Sequence, residues 1–225
     1  LSIEQIQTQL HDHQLDLRLI NVPGGDLMQG GNGLAGVPGQ EQAFAQALQL
    51  AIDYATALDV PRVNILAGKQ PHDYDLLPCL NTLASNLKLA CNLLSTHHIQ
   101  PLIEMINGTD MPRFLIQNTA QAQEMLEAVH HPALKLQYDC YHIAMMGEDV
   151  LEELKENIHD IGHIQFADCP GRHQPDTGQL NFEQIFAWLQ SSHYSGFIGA
   201  EYRPRASSSD SFDWKSKYFS DDVNT

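Results

Sequence analysis

The sequence predicts an α/β fold, a (β/α)8 TIM barrel of parallel strands, on three observations. Short apolar runs alternate with longer helical patterns along the 225 residues, which implies a parallel sheet covered by helices. Four consecutive runs each carry a polar side chain at or near their end: Glu104, Asp139, Gln165 and Glu201. These residues lie 35, 26 and 36 positions apart, one βα unit per step. In a closed barrel all strand ends point to one mouth and residues distant in sequence converge there. An open doubly wound sheet would gather its ligand at a switch point behind a glycine-rich first turn, and suits four consecutive site-bearing strands less well.

The elements follow in order. The chain begins at Leu1, directly in an amphipathic helix pattern with Ile3, Ile6 and Leu10 on one face, so a truncated N-terminus is expected. A first apolar run spans Leu15 to Val22. Gln42 to Leu58 carries Ala, Leu, Phe and Ile at helical spacing and ends before Pro61, which stops a helix. Further strand runs are Val63 to Ala67, Pro101 to Ile106, Leu134 to Cys140, His163 to Ala167 and Phe197 to Tyr202, with helices at Leu76 to Ser95 and Thr119 to Val129. Six runs leave the barrel two strands short, and these are expected before Leu1. Residues 1–225 read as a single domain whose 206–225 tail, with Phe212, Trp214, Tyr218 and Phe219, packs locally or is partly disordered.

Two connections are not simple turns. Asn21 to Gly39 holds seven glycines and two prolines, and Asp168 to Asn181 is a polar excursion after the fifth run. Both are expected to overhang the barrel mouth as lids or substrate clamps. Neither contains a phosphate-cradling GxxxxGK[ST] signature.

Composition narrows the function classes. With 12 basic against 28 acidic residues, the net charge of -16 repels a phosphate backbone, so nucleic acid is not an expected partner. No stretch approaches the roughly 20 apolar residues of a membrane span, and no export signal is visible, so no membrane association and a cytoplasmic location are expected. The four cysteines show no CxxC spacing and read as buried reduced thiols.

Carboxylates are costly to bury unless paired or bound to a cation. Glu104 shares a strand face with Leu102 and Ile106, inside a continuously apolar run, and Glu201 stands beyond Gly199 and Ala200 in a similar one. Asp139 shares a face with Lys135 and Gln137, and His142 follows in a DxxH spacing suited to bonding a substrate oxygen. Gln165 alternates inward with His163 and offers a neutral oxygen. Three carboxylates and an amide form a hard oxygen set that suits Mg2+ or Mn2+ rather than zinc or copper. Arg172, in the loop after Gln165, can grip a substrate carboxylate in fork geometry.

Seven segments in order carry a more specific signal: Asn21-Val-Pro-Gly-Gly-Asp26, the Gly33 to Gly39 stretch, Val63-Asn64 with Gly68-Lys69, Ile103-Glu104 with Ile106-Asn107, KLQYDCYH at 135–142, IGHIQFAD at 161–168 and GAEYRP at 199–204. Together they resemble the hydroxypyruvate isomerase family within the xylose-isomerase-like TIM barrels. The resemblance implies a divalent metal held by Glu104, Asp139, Gln165 and Glu201, with Glu104 and Glu201 as the acid/base pair. It places Asn21, Lys69, His142 and Arg172 around the substrate, and puts the first βα unit and second strand outside this chain. The implied reaction interconverts hydroxypyruvate and tartronate semialdehyde. The same motifs accommodate a 2-oxo-tetronate isomerase or a sugar epimerase of this fold, and a non-catalytic degenerate barrel is a further alternative. A small 2-oxo acid is the expected partner, with homo-oligomer formation left open. The loop departs from the family pattern at Gln174, where Glu is common, and at Asp176, where Gly is usual, which bears on substrate choice.

Overall fold

In the computed structural model, which describes residues 1–219, the chain forms two compact units, Leu1–Gln137 and a second from Tyr138 onward, with the boundary inside one strand. The first unit opens with α1 (Ile3–His13), capped by Ser2, whose hydroxyl accepts from the Gln5 amide while the Gln5 side chain accepts from Ser2 N. Then come β1 (Ile20–Asn21), α2 (Glu41–Ala57), β2 (Arg62–Ile65), α3 (Leu76–Thr96), β3 (Gln100–Glu104), α4 (Thr119–Val129) and the start of β4 (Lys135–Asp139). Strands β1 to β4 pair in chain order and in parallel: Asn21 with Asn64, Asn64 with Leu102, and Glu104 with Gln137.

The helices of this unit close one core. α2 buries Phe44, Leu48, Ala51, Ile52 and Ala55, α3 buries Leu83, Leu87, Ala90, Cys91 and Leu94, and both spacings keep one face apolar. Strand residues Val63, Ile65, Leu102, Ile103 and Leu136 are fully enclosed. Each large apolar side chain so buried contributes about 1.5–3 kcal/mol, which outweighs modest helix propensities.

The second unit continues with α5 (Cys140–Met145), α6 (Val150–Asn157), β5 (Ile161–Phe166), α7 (Phe182–Ser191), β6 (Ile198–Ala200) and α8 (Asp213–Tyr218). β5 and β6 pair in parallel, Gln165 against Gly199. Phe166 meets Phe182, Phe186 and Trp214 edge to face at 5.7, 5.2 and 5.2 Å, an arrangement that aromatic quadrupoles favour. Tyr218 and Phe219 pack on Phe186, so the tail lies on its own unit as far as residue 219. The rest of the expected 206–225 tail lies outside the described residues.

Several boundaries differ from expectation. The first run was expected from Leu15, yet β1 holds only Ile20 and Asn21. Gln14 takes a left-handed C-cap conformation and Leu15 is exposed, so the chain is still leaving α1 where the strand was expected. β6 is likewise only three residues long. The glycine-rich segment after β1 is not an overhanging lid throughout: Ala35, Gly36 and Val37 are buried. A Cβ at Gly36 would lie 2.7 Å from the Ala67 carbonyl oxygen, and Asn86 donates to the Ala35 carbonyl at 2.7 Å. Glycine is needed there for close backbone approach. The four cysteines are free thiols; Cys79, Cys91 and Cys140 are buried as expected, whereas Cys169 is only partly buried, and burial pushes the Cys91 thiol up to about 12. No helix among the described residues is long and apolar enough to cross a membrane.

Candidate active site

In the first unit, three polar residues meet at the C-terminal ends of adjacent strands. Glu104 ends β3 and is 5% exposed, Asn64 lies within β2 and is fully buried, and Asn21 ends β1. Asn64 Nδ2 donates to Glu104 Oε2 at 2.9 Å and to Asn21 Oδ1 at 3.0 Å. A carboxylate only accepts, so this contact fixes which end of the Asn64 amide faces Glu104. The parallel register makes the trio, because it sets Asn21 beside Asn64 and Asn64 one strand from Glu104. Lys69 does not join it: its Nζ donates to the Gly30 carbonyl at 3.1 Å, bracing the glycine-rich loop.

In the second unit, Asp139 ends β4 and caps α5, accepting from Tyr141 N at 3.0 Å. It is wholly buried. Burial pushes its carboxyl up to about 7; Arg172 opposes the shift, Glu201 adds to it and the Tyr141 amide opposes it. The Arg172 guanidinium reaches Asp139 Oδ2 at 3.3 Å and Glu201 Oε2 at 3.1 Å, and lies 5.1 Å above the Tyr141 ring. His142, 3% exposed, brings Nε2 to 3.6 Å from Asp139 Oδ2. The unit thus assembles Asp139, His142, Arg172 and Glu201.

Gln165 lies on β5 opposite Gly199. A Cβ at Gly199 would lie 3.3 Å from His163 Nε2, a tight approach, and in ordinary contact with Gln165 Cγ at 3.7 Å, so glycine eases the packing of His163. Glu201 departs from the expected enclosed strand end, its side chain being 52% exposed. The physical reason is the shortness of β6: Ala200 and Glu201 already lie on its open margin, although Glu201 N still donates to the Phe166 carbonyl at 3.0 Å.

The loop after β5 holds a residue whose role sequence reasoning missed. Asp168, fully buried, accepts from Cys169 N and Leu180 N through Oδ1 at 2.8 and 3.1 Å, and from Thr177 N and Gly178 N through Oδ2 at 2.9 and 2.7 Å. The available signal was an Asp opening a Pro- and Gly-containing loop that closes on Thr177-Gly178, since Asp side chains readily satisfy nearby backbone amides. Tyr141, beneath Arg172, gave no signal of its own. The two departures from the family loop are also accounted for. Gln174 Oε1 accepts from Arg205 N at 3.1 Å. Asp176 has φ +69°, a left-handed conformation that glycine adopts at least cost, and its carboxylate is held by Lys217 Nζ at 2.8 Å and by the Tyr218 hydroxyl.

Comparison with known proteins places these features in a family. The family model described as xylose isomerase-like TIM barrel matches residues 1–218. The chain is 39% identical over 224 residues to a putative hydroxypyruvate isomerase of Danio rerio, covering 96% of this chain and 81% of that one. It is 37% identical to the 2-oxo-tetronate isomerase of Cupriavidus necator, covering 95% of this chain and 82% of that one. A crystal structure from Brucella melitensis, titled AP endonuclease, family 2, superposes with TM-score 0.92 at 32% identity, covering 97% of this chain and 84% of that one. With the strand-end acids, the ordered motifs and the sequence identity in agreement, the chain belongs to the xylose isomerase-like TIM-barrel family, among the hydroxypyruvate and 2-oxo-tetronate isomerases.

Proposed function

We propose that this chain is an isomerase of small 2-oxo acids, and that its substrate pair is hydroxypyruvate and tartronate semialdehyde. The observation that carries the proposal is Arg172 beside Asp139 and Glu201: a fork-shaped cation at the edge of strand-end carboxylates suits a small substrate that bears its own carboxylate.

A divalent cation, Mg2+ or Mn2+, fits the donors present. Glu104, Asp139, Gln165 and Glu201 supply only oxygen, and Asp139 is buried with too little nearby positive charge to keep its carboxyl in the usual range. The family resemblance assigns those four residues to the ion, whose chemistry when bound would be to polarise substrate oxygens and offset the negative charge that develops on them. The remaining work falls to the chain. Arg172 orients the acid group and His142 bonds a substrate oxygen. One of the two glutamates takes the proton from the hydroxyl-bearing carbon, the other returns a proton at the neighbouring carbon, and the hydroxyl proton passes to the former carbonyl oxygen, so that the carbonyl has moved by one carbon. Asn21 and Lys69 shape the substrate side of the glycine-rich loop, Lys69 through its hold on Gly30.

The 37% identity to a 2-oxo-tetronate isomerase supports a second reading, a four-carbon 2-oxo acid, with Gln174 and Asp176 altering the loop that meets the substrate. The net charge of -16 disfavours nucleic acid as the ligand, and no DNA mobility shift is expected. NMR detection of deuterium exchange and product, with hydroxypyruvate and 2-oxo-tetronates as parallel substrates and with Mg2+ or Mn2+ added, tests the proposal. Turnover of hydroxypyruvate supports the first reading, turnover of the tetronate alone supports the second, and inertness toward both defeats the isomerase assignment.

A further inference from the structure

Four backbone amides converge on one buried carboxylate in the loop that presents Arg172. Asp168 takes Cys169 N and Thr177, Gly178 and Leu180 N, so both ends of the 169–180 excursion are tied to a single side chain. Its own backbone completes the fold-back: Asp168 N donates to the His173 carbonyl at 2.8 Å, and Arg172 N donates to the Asp168 carbonyl at 3.0 Å. Arg172 itself has φ +56°, a left-handed conformation that a long side chain adopts only where the surroundings impose it. The same turn is tied to the strand that ends at Glu201, because Arg203 N donates to the Arg172 carbonyl at 2.7 Å and His173 Nδ1 lies 2.6 Å from the Arg203 carbonyl.

We infer that Asp168 is a positioning residue for Arg172, holding the guanidinium where it meets Asp139 and Glu201 and hence where it receives the acid group of the substrate. The consequence for substrate rests on the proposed isomerase reading; the structural link does not. A carboxylate is the side chain this role requires. Four N–H donors need acceptors only, whereas an amide in the same place turns its NH2 toward two of them and leaves buried donors opposed. Arg172 would then keep its charge and lose its place, and a displacement of about 1 Å in a positioning group is enough to cost activity on the order of 10²-fold.

The test compares Asp168→Asn, Arg172→Ala and the double variant in the full chain. Hydrogen exchange at the Thr177, Gly178 and Leu180 amides and the Arg172 Nε resonance report the link without any substrate. Asp168→Asn is expected to speed exchange at those amides and to shift the Arg172 resonance. With hydroxypyruvate it is expected to raise KM on the order of 10- to 100-fold with a smaller change in kcat. In the Arg172→Ala background the same substitution should add little further, since it acts through a side chain already gone. Equal and additive losses in the two backgrounds, or a wild-type KM and Arg172 signal in folded Asp168→Asn, overturn the inference. If Asp168→Asn does not fold, Gly178→Ala probes the same link, because its Cβ would lie 2.5 Å from Asp168 Oδ1, and an unchanged Arg172 signal there overturns the inference. A wild-type chain inert to hydroxypyruvate and 2-oxo-tetronates, whose Arg172 signal still responds to Asp168→Asn, defeats the isomerase reading and supports the positioning role.

Discussion

Asn64 holds Glu104 by a 2.9 Å amide-to-carboxylate hydrogen bond while sharing the same nitrogen with Asn21 at 3.0 Å. The Asn64 Oδ1 atom is buried without a hydrogen-bond partner among the described residues, so the amide is committed to presenting its donor side. An unsatisfied buried acceptor costs about 1–3 kcal/mol, and the Glu104 carboxylate, which can only accept, fixes this orientation of the amide. Asn64→Ala is expected to lower kcat by at least 10-fold while KM moves less, because the carboxylate loses its fixed orientation. Steady-state kinetics on variant protein shown to be folded by circular dichroism checks this, and an unaltered kcat would remove Asn64 from the picture.

The acid/base pair is open to the most direct test. Glu104→Gln and Glu201→Gln each preserve shape and remove the proton-carrying group, and each is expected to depress turnover on the order of 10²- to 10⁴-fold. Solvent deuterium incorporation, measured separately from product formation, shows which half of the proton transfer each variant loses. Near-normal kcat in either variant, with metal content intact, would reject that residue as acid or base.

Arg172 should behave as a fork and not only as a charge. Arg172→Ala is expected to raise KM for a 2-oxo acid roughly 10- to 100-fold, in line with hydrogen bonds to charged groups worth about 1.5–3 kcal/mol. Arg172→Lys should recover only part of this loss, since an ammonium cannot donate in the planar, paired geometry. Full recovery by lysine would reduce the residue to a point charge.

Metal removal separates binding from chemistry. Protein treated with EDTA and shown by elemental analysis to be metal-free is expected to lose turnover and to regain it with Mg2+ or Mn2+. Full activity in the metal-free sample would dismiss the cation.

The Asp176 pair gives a stability prediction with a defined sign. Burial alone would raise its carboxyl, but hydrogen bonds from Lys217 and Tyr218 outweigh that and hold it below the ordinary carboxylate range. A depressed folded value stabilises the fold above the unfolded pKa of about 3.9, and that stability is lost as pH falls through the folded value. Asp176→Asn is expected to cost under about 1 kcal/mol at neutral pH, as befits a half-exposed pair, with the two proteins converging as pH falls below the ordinary carboxylate range. Urea midpoints across that range decide it, and a deficit independent of pH would assign the effect to the hydrogen bond from the Tyr218 hydroxyl rather than to charge.

The sequence by itself determined the alternation of strands and helices, because apolar periodicity and proline stops are local and survive without knowledge of the fold. It also set Glu104, Asp139 and Gln165 at or next to strand ends, since a strand's facing pattern is readable over five or six residues. Other features were settled only by tertiary structure. The grip of Asn64 on Glu104 spans 40 residues and depends on strand register. That of Arg172 on Asp139 spans 33 and depends on a loop folded around Asp168. The half-exposed state of Glu201 follows from where β6 ends, which no apolar run announces. Hydrogen bonds across such separations are selected by three-dimensional proximity and rotamer, and neither quantity is written in any local stretch of the chain.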